Sequence, residues 1–204
     1  MDQDLMEEMI MKQYTVLYQN EPVWAGVPYA EICEGDSGLG IRARAQLLWN
    51  EEAFFVRLSA EEAEIRAEER GPLGMPCEDS CLEFFFSPVE GQTRYFNFEY
   101  NPNAACFIGI GLNRYNLVRL LPMKDWFHAT PARTEDGWEI TYKVPYAFIR
   151  MFFPEFKAVS GGTMRGNCYK CGDLTPVEHY ITWNPVDGDC DFHRPETFGL
   201  FRFA

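Results

Sequence analysis

Three stretches of this sequence put polar, proton-binding side chains at every second position among apolar ones. Glu83 stands between Leu82 and Phe84. Tyr95, Asn97 and Glu99 alternate with Phe96 and Phe98, and Arg165, Asn167 and Tyr169 follow the same period. In extended chain, residues two apart share a face, so each set lies opposite its apolar neighbours. If these strands adjoin, carboxylates, amides, a guanidinium and a phenol meet on one flat or concave surface. Sugar hydroxyls need that mix of donors and acceptors, and their C–H faces stack on rings. The same spacing without a ligand gives a solvated outer face with weak Glu–Arg pairs. Glu83 and Glu99 are also a candidate acid–base pair for glycosidic hydrolysis, which needs carboxyl groups about 5 Å or about 6.5–9.5 Å apart.

A second group of candidates lies in the loop before the C-terminus, where Asp189, Phe192 and His193 offer an acceptor, a ring and an imidazole. Asp187, Asp189 and Asp191 in the same loop could ligate calcium through oxygen, although they lack the glycine and terminal glutamate of an EF-hand. The seven cysteines are scattered and odd in number, which suggests reduced thiols. Cys77 with Cys81 and Cys168 with Cys171 have spacings that occur in zinc sites. Residues around Cys168 read as a strand, where positions three apart face opposite ways, so buried or bystander thiols are expected instead. His128, between Phe127 and Ala129, reads as a hydrogen-bonded surface or core histidine. No glycine-rich phosphate loop, serine elbow or zinc-protease motif is present.

The elements that must position these residues are mostly strands. Alternation predicts a hairpin from residues 41–49 and 54–58, turning at Asn50, Glu51 and Glu52. Further strands are predicted at 81–87, 94–100, 106–110, 117–121, 138–144, 162–171, 180–183 and 198–203. Residues 60–70 favour helix by composition but are read as a continued edge strand, and 71–76 as a loop. One short helix is expected at 145–153, with Pro145 at its start and Pro154 at its end. Residues 1–20 read as an N-terminal appendage and 21–204 as a single domain. Many short strands, one helix and no βαβ alternation give an all-β fold, an antiparallel β-sandwich of immunoglobulin-like or jelly-roll-like kind.

The 204 residues are 47% hydrophobic and 16% aromatic, enough for a core and unlike a disordered, collagenous or coiled-coil chain. They are too few for an eight-fold α/β barrel of about 250 residues. The 31 acidic residues exceed the 18 basic ones, for a net charge of −13, without a basic stripe. Nucleic acid and anionic membrane are therefore not expected as partners, whereas a neutral sugar or a cation is compatible. No stretch approaches the roughly 20 apolar residues of a membrane helix, and residues 1–12 lack the charge order of a secretory signal. The chain as it stands is thus expected in the cytoplasm, and outside the cell if a leader precedes it.

Several motifs, read together and in order, resemble the family 9 carbohydrate-binding module. They are Asp79-Ser80-Cys81-Leu82-Glu83-Phe84-Phe85, Tyr95-Phe96-Asn97-Phe98-Glu99-Tyr100-Asn101, Trp138-Glu139-Ile140, Tyr180-Ile181-Thr182-Trp183-Asn184-Pro185, and Phe192-His193-Arg194-Pro195-Glu196-Thr197-Phe198-Gly199. The resemblance runs from about Pro22 to the C-terminus. It implies a β-sandwich that binds glycan ends or small sugars without catalysis, often appended to xylanases in carbohydrate catabolism and sometimes carrying structural calcium. Two tryptophans of that family clamp the sugar while Glu, Arg and Asn bond its hydroxyls. By motif, the Glu is Glu83. The Arg and one Asn fall at Asn97 and Glu99, and another amide falls near Asp189. The clamp tryptophans fall at Cys77 and Phe192, and Trp183 matches a core tryptophan.

Non-catalytic carbohydrate binding is the leading expectation, carried by Glu83, Asn97, Glu99, Arg165, Asn167, Tyr169, Asp189, Phe192 and His193. One alternative is a glycosidic-bond hydrolase using Glu83 and Glu99. The other is an interaction protein that kept the fold and lost the sugar, working with a protein partner or a separate glycoside hydrolase.

Overall fold

The structure, a computed structural model, describes residues 11–35, 38–121, 125–187 and 191–204. These form β1 (Gln13–Tyr18), β2 (Ala30–Ile32), β3 (Arg42–Trp49), β4 (Ala53–Glu61), β5 (Cys81–Ser87), β6 (Tyr95–Tyr100), β7 (Cys106–Asn113) and β8 (Asn116–Leu120). They continue as β9 (Thr130–Arg133), β10 (Gly137–Pro145), α1 (Tyr146–Phe152), β11 (Thr163–Gly172), β12 (His179–Thr182) and β13 (Gly199–Phe203). Short 3-10 turns occur at Pro76–Glu78 and Pro195–Thr197. Among the described residues no helix is long and apolar enough to cross a membrane.

The strands form one curled sheet in the order β8-β7-β6-β5-β11-β13-β1-β3-β4-β10-β9, with β12 beside β11 and β2 beside β3. The expected all-β architecture is present, and its pairings are antiparallel except at β1. That strand runs parallel to both β13 and β3, so the sheet as a whole is mixed. Gln13 to Val16 register with Leu200 to Phe203, and Leu17 and Tyr18 with Leu48 and Trp49. Of residues 1–20, read as an appendage, 1–10 lie outside the described residues; within the rest, β1 buries Val16 completely and joins the two halves of the sheet.

Period-2 alternation sends one face of each half inward. Phe84, Phe86, Phe96 and Phe98 from β5 and β6 share a core with Val56, Ile140 and Tyr142 from β4 and β10. Phe98 stacks on Tyr142 with centroids 5.8 Å apart, and Phe54 of β4 meets Phe86 edge-on at 6.2 Å. Helix α1 follows Pro145 as predicted and closes this core with Phe148 and Ile149. Trp183 is buried against Phe201, in agreement with its reading as core.

The predicted continuation of a strand through residues 60–70 is corrected. Strand β4 ends at Glu61; Glu62 N still donates to the Asp136 carbonyl at 3.0 Å, and further on the amides of Arg66, Glu68 and Glu69 find side-chain acceptors. Asp79, wholly buried, accepts from the amides of Glu68 (2.9 Å) and Glu69 (2.8 Å), from Asn101 Nδ2 (2.8 Å) and from the Arg66 guanidinium. A charged acceptor thus takes two amides of this irregular segment that a strand ladder would otherwise have taken.

Candidate functional site

The other face of β7, β6, β5 and β11 carries the polar alternation, and the register arranges it in rows. One row reads Tyr169, Glu83, Glu99, Phe107 and the next Asn167, Phe85, Asn97, Gly109. Cys171 of β11 stands opposite Cys81 of β5. This face is not a solvated exterior. The chain after β12 folds back across it, so that Phe85, Tyr95, Tyr169, Phe192 and Phe198 form a second apolar cluster beneath the loop. Phe192 lies flat on Tyr169 at 4.1 Å and 12°, and the Tyr169 hydroxyl donates to the Phe192 carbonyl at 3.1 Å.

Where the loop stops short, a cavity of about 320 Å³ remains. Its floor includes Glu83, Glu99 and Cys171, and its walls include Cys77, Phe107, Arg114, Asp173 and Tyr180. Phe192 and His193 close the side toward the returning loop. Arg114 comes from the β7–β8 turn, where Asn113 Oδ1 accepts from the amides of Tyr115 and Asn116, both at 3.0 Å. That turn aims the guanidinium at Asp191, 3.0 Å away.

Glu83 and Glu99 are directly opposed and buried, and among the described residues neither has an ion-pair partner. Burial pushes the Glu83 carboxyl above the ordinary range, against hydrogen bonds from Cys171 at 3.0 Å and Cys81 at 3.7 Å. Burial, and then the charge of Glu83, raises Glu99 further, while Asn97 Nδ2 donates to its Oε1 at 2.7 Å. His193 moves the other way: burial and then the Arg114 guanidinium lower it to about 4. Its Nδ1 shares a 2.7 Å hydrogen bond with the Tyr95 hydroxyl. The result is a recess with carboxyl acceptors below, a guanidinium at the rim and rings at the sides.

The profile of carbohydrate-binding family 9 matches residues 40–203. The chain is a member of carbohydrate-binding family 9. A solved protein of Bacteroides uniformis, described as carbohydrate-binding, superposes with a TM-score of 0.79 at 24% identity, over 95% of this chain and all of that one. Two structures of a family 9 module of Caldicellulosiruptor kristjanssonii, with cellotriose and with glucose, superpose at 0.69 and 14% identity. The cellotriose complex covers 94% of this chain and 93% of its own, and the glucose complex 95% and 96%. No curated protein sequence matches the chain.

Cys77 and Phe192, the positions at which the resemblance places the clamp, both line this cavity together with Glu83 and Glu99. A thiol thus occupies one side where the family resemblance implies a ring, and Phe192 spends one face on Tyr169. Of the other residues singled out from the sequence, His193 borders the cavity, whereas Asn97 and Tyr169 lie buried beneath it and hydrogen-bond Glu99 and Phe192. Arg165 and Asn167 share the face but not the cavity. The Arg165 guanidinium donates to the Phe198 carbonyl, and Asn167 ties down Asn184, its Oδ1 accepting from Asn184 N at 2.8 Å and its Nδ2 donating to Asn184 O at 2.9 Å. Asp189, the central member of the aspartate trio, lies outside the described residues; Asp191 is paired with Arg114. Cys168 faces the main core, opposite Cys171, as strand periodicity requires. Sequence reasoning missed Arg114, Asp173 and Tyr180. The Asn113–Asn116 turn signal was available for the first, but only the β6–β7 register connects it to Glu99.

Proposed function

We propose that this chain binds a small carbohydrate without cleaving it, in the cavity over Glu83 and Glu99. The observation that carries the reading is the pairing of two buried carboxyl acceptors with the Arg114 donor inside a partly aromatic recess. Its volume falls at the small end of ligand pockets, roughly 300–1,000 Å³, and suits one or two sugar rings. Glu83 and Glu99 accept from hydroxyls, Arg114 donates to ring or hydroxyl oxygens, and the Phe107 and Phe192 edges meet C–H faces. We also read the curled sheet as a β-sandwich, because its halves face each other across one apolar core. Glucose and cellotriose, the ligands of the similar Caldicellulosiruptor kristjanssonii modules, are the first probes.

The test is isothermal titration with glucose, cello- and xylo-oligosaccharides, using the wild type, Glu83→Gln and Phe192→Ala. Binding that weakens about tenfold or more in both variants is expected, since each removes a desolvated contact of more than about 1.4 kcal/mol. A flat titration with every sugar, in folded protein, overturns the reading and favours an interaction protein. One observation favours a second reading. Opposed carboxyl groups that share a raised proton affinity are also the apparatus of a glycosidase. Release of chromophore from aryl glycosides, abolished in Glu83→Gln, would establish it.

A further inference from the structure

Four acids are buried among the described residues: Glu62, Asp79, Glu83 and Glu99. Two of them are neutralised by a neighbouring cation, Glu62 by Lys170 at 3.1 Å and Asp79 by Arg66. Glu83 and Glu99, side by side under the cavity, have no such partner among the described residues. Buried carboxylates are normally paired or bound to metal. What surrounds Glu83 is also selective. Cys81 and Cys171 stand opposite each other across β5 and β11, and Glu83 is the next residue on the same face of β5. One ligand atom from each lies within 4.8 Å of the other two, with Glu83 Oε1 3.0 Å from Cys171 Sγ and 3.7 Å from Cys81 Sγ.

We propose that Cys81, Cys171 and Glu83 form a binding site for a thiophilic divalent cation, of which zinc is the type. A tetrahedral zinc with two sulfurs at about 2.3 Å and one oxygen at about 2.1 Å needs ligand–ligand edges of about 3.6–3.8 Å; the Glu83–Cys81 edge already has that length, and Glu83 must draw back from Cys171 by about half an ångström. Two thiolates and a carboxylate are a soft donor set, unlike the all-oxygen shell of calcium or magnesium. Placement on two paired strands fixes the three donors without help from any loop. The fourth position of the tetrahedron opens to the cavity, where Cys77 or solvent can take it. Binding the metal releases the two thiol protons to solvent, so the dication is balanced by the thiolates it creates and the net charge beside Glu99 becomes no more positive. The site uses a residue of the proposed sugar cavity but does not rest on sugar being bound there.

Cobalt(II) titration of the full chain, reduced and freed of metal, tests the proposal. One equivalent should give the near-ultraviolet sulfur-to-cobalt charge-transfer band, zinc should bleach it, and Cys33→Ser, at an exposed thiol, should keep it. Cys81→Ser and Cys171→Ser should lose it, and Glu83→Gln should bind about tenfold more weakly or worse. A second measurement on the wild type needs no variant to fold. Zinc titrated calorimetrically into the wild type in two buffers of different ionisation enthalpy should release about two protons per metal bound. Absence of the band in folded wild type, a band that survives in folded Cys81→Ser, or zinc uptake without proton release would each overturn the proposal.

Discussion

At His193 and at the Glu83–Glu99 pair, burial shifts proton affinity in opposite directions, and the two shifts have opposite consequences for stability. His193 binds its proton less readily in the folded chain, at about 4 against 6.5 for a free imidazole. The unfolded chain therefore takes up the proton first. The neutral ring's contribution is complete above pH 6.5 and is lost as pH falls toward 4, about 2 kcal/mol between pH 7 and pH 5. Arg114 and Asp191 at the rim, with the Tyr95 hydroxyl below, are the polar groups that set this value. The carboxyl pair holds its protons more readily in the folded chain, so its contribution is complete below the ordinary carboxylate value of 4.5 and fades as pH rises through the raised ones. Thermal melts of metal-free protein from pH 4 to 8 should separate the two. His193→Gln should remove the acid-side loss, and Glu83→Gln should lessen the decline toward neutral pH, leaving the part due to burial of Glu99. Melting curves of His193→Gln that parallel the wild type across this range would refute the assignment. Glu83, Glu99, Phe192 and His193 were legible in sequence because each stands at a strand or motif position with a fixed face. Arg165 and Asn167 lie on the predicted face but outside the cavity, because alternation specifies a face and not how much of it a returning loop will cover.

At the scale of single elements, β7 supplies an independent test of how the site is supported. Gly109 sits opposite Asn97, and a β-carbon there would meet Asn97 Oδ1 at 2.2 Å, closer than any real contact. Gly109→Ala must therefore displace Asn97, and with it the 2.7 Å bond that orients Glu99. Sugar affinity is expected to fall about tenfold, more than the loss of fold stability accounts for, when calorimetric binding is compared with the melting temperature. Asp79 makes the corresponding test for the segment after β4. Asp79→Ala leaves Arg66 and two amides without their buried acceptor and should cost about 3 kcal/mol. Amide exchange at residues 66–69 should accelerate well before that of β5. Strands β5, β6 and β10 were readable to within a residue, because their apolar partners recur every second position. Residues 60–70 were not, since their Ala and Glu content is silent about a carboxylate that lies ten or more positions further on and captures their backbone.

At the scale of the whole molecule, β1 decides whether the two halves of the sheet are one folding unit. Its first four residues zip to β13 and its last two to β3, and it does so in parallel with strands far away in sequence. Nothing in Gln13-Tyr14-Thr15-Val16-Leu17-Tyr18 announces such partners, and the pairing is worth little until both halves are present. Once they are, Val16 is sealed in the same core as Phe201 and Phe203 of one half and Leu47 and Trp49 of the other. Trp49 reinforces the seam through its indole, which donates to the Ala204 carbonyl at 3.1 Å. A core shared in this way leaves neither half a face that it can expose alone, so unfolding should be a single cooperative event. Val16→Ala removes two buried methyl groups at the seam and should lower stability by about 1–2 kcal/mol. It should do so by the same amount whether unfolding in urea is followed by tryptophan fluorescence or by far-ultraviolet dichroism. Two separated transitions, with only one of them moved by Val16→Ala, would mean that the halves are independent units merely bridged by β1.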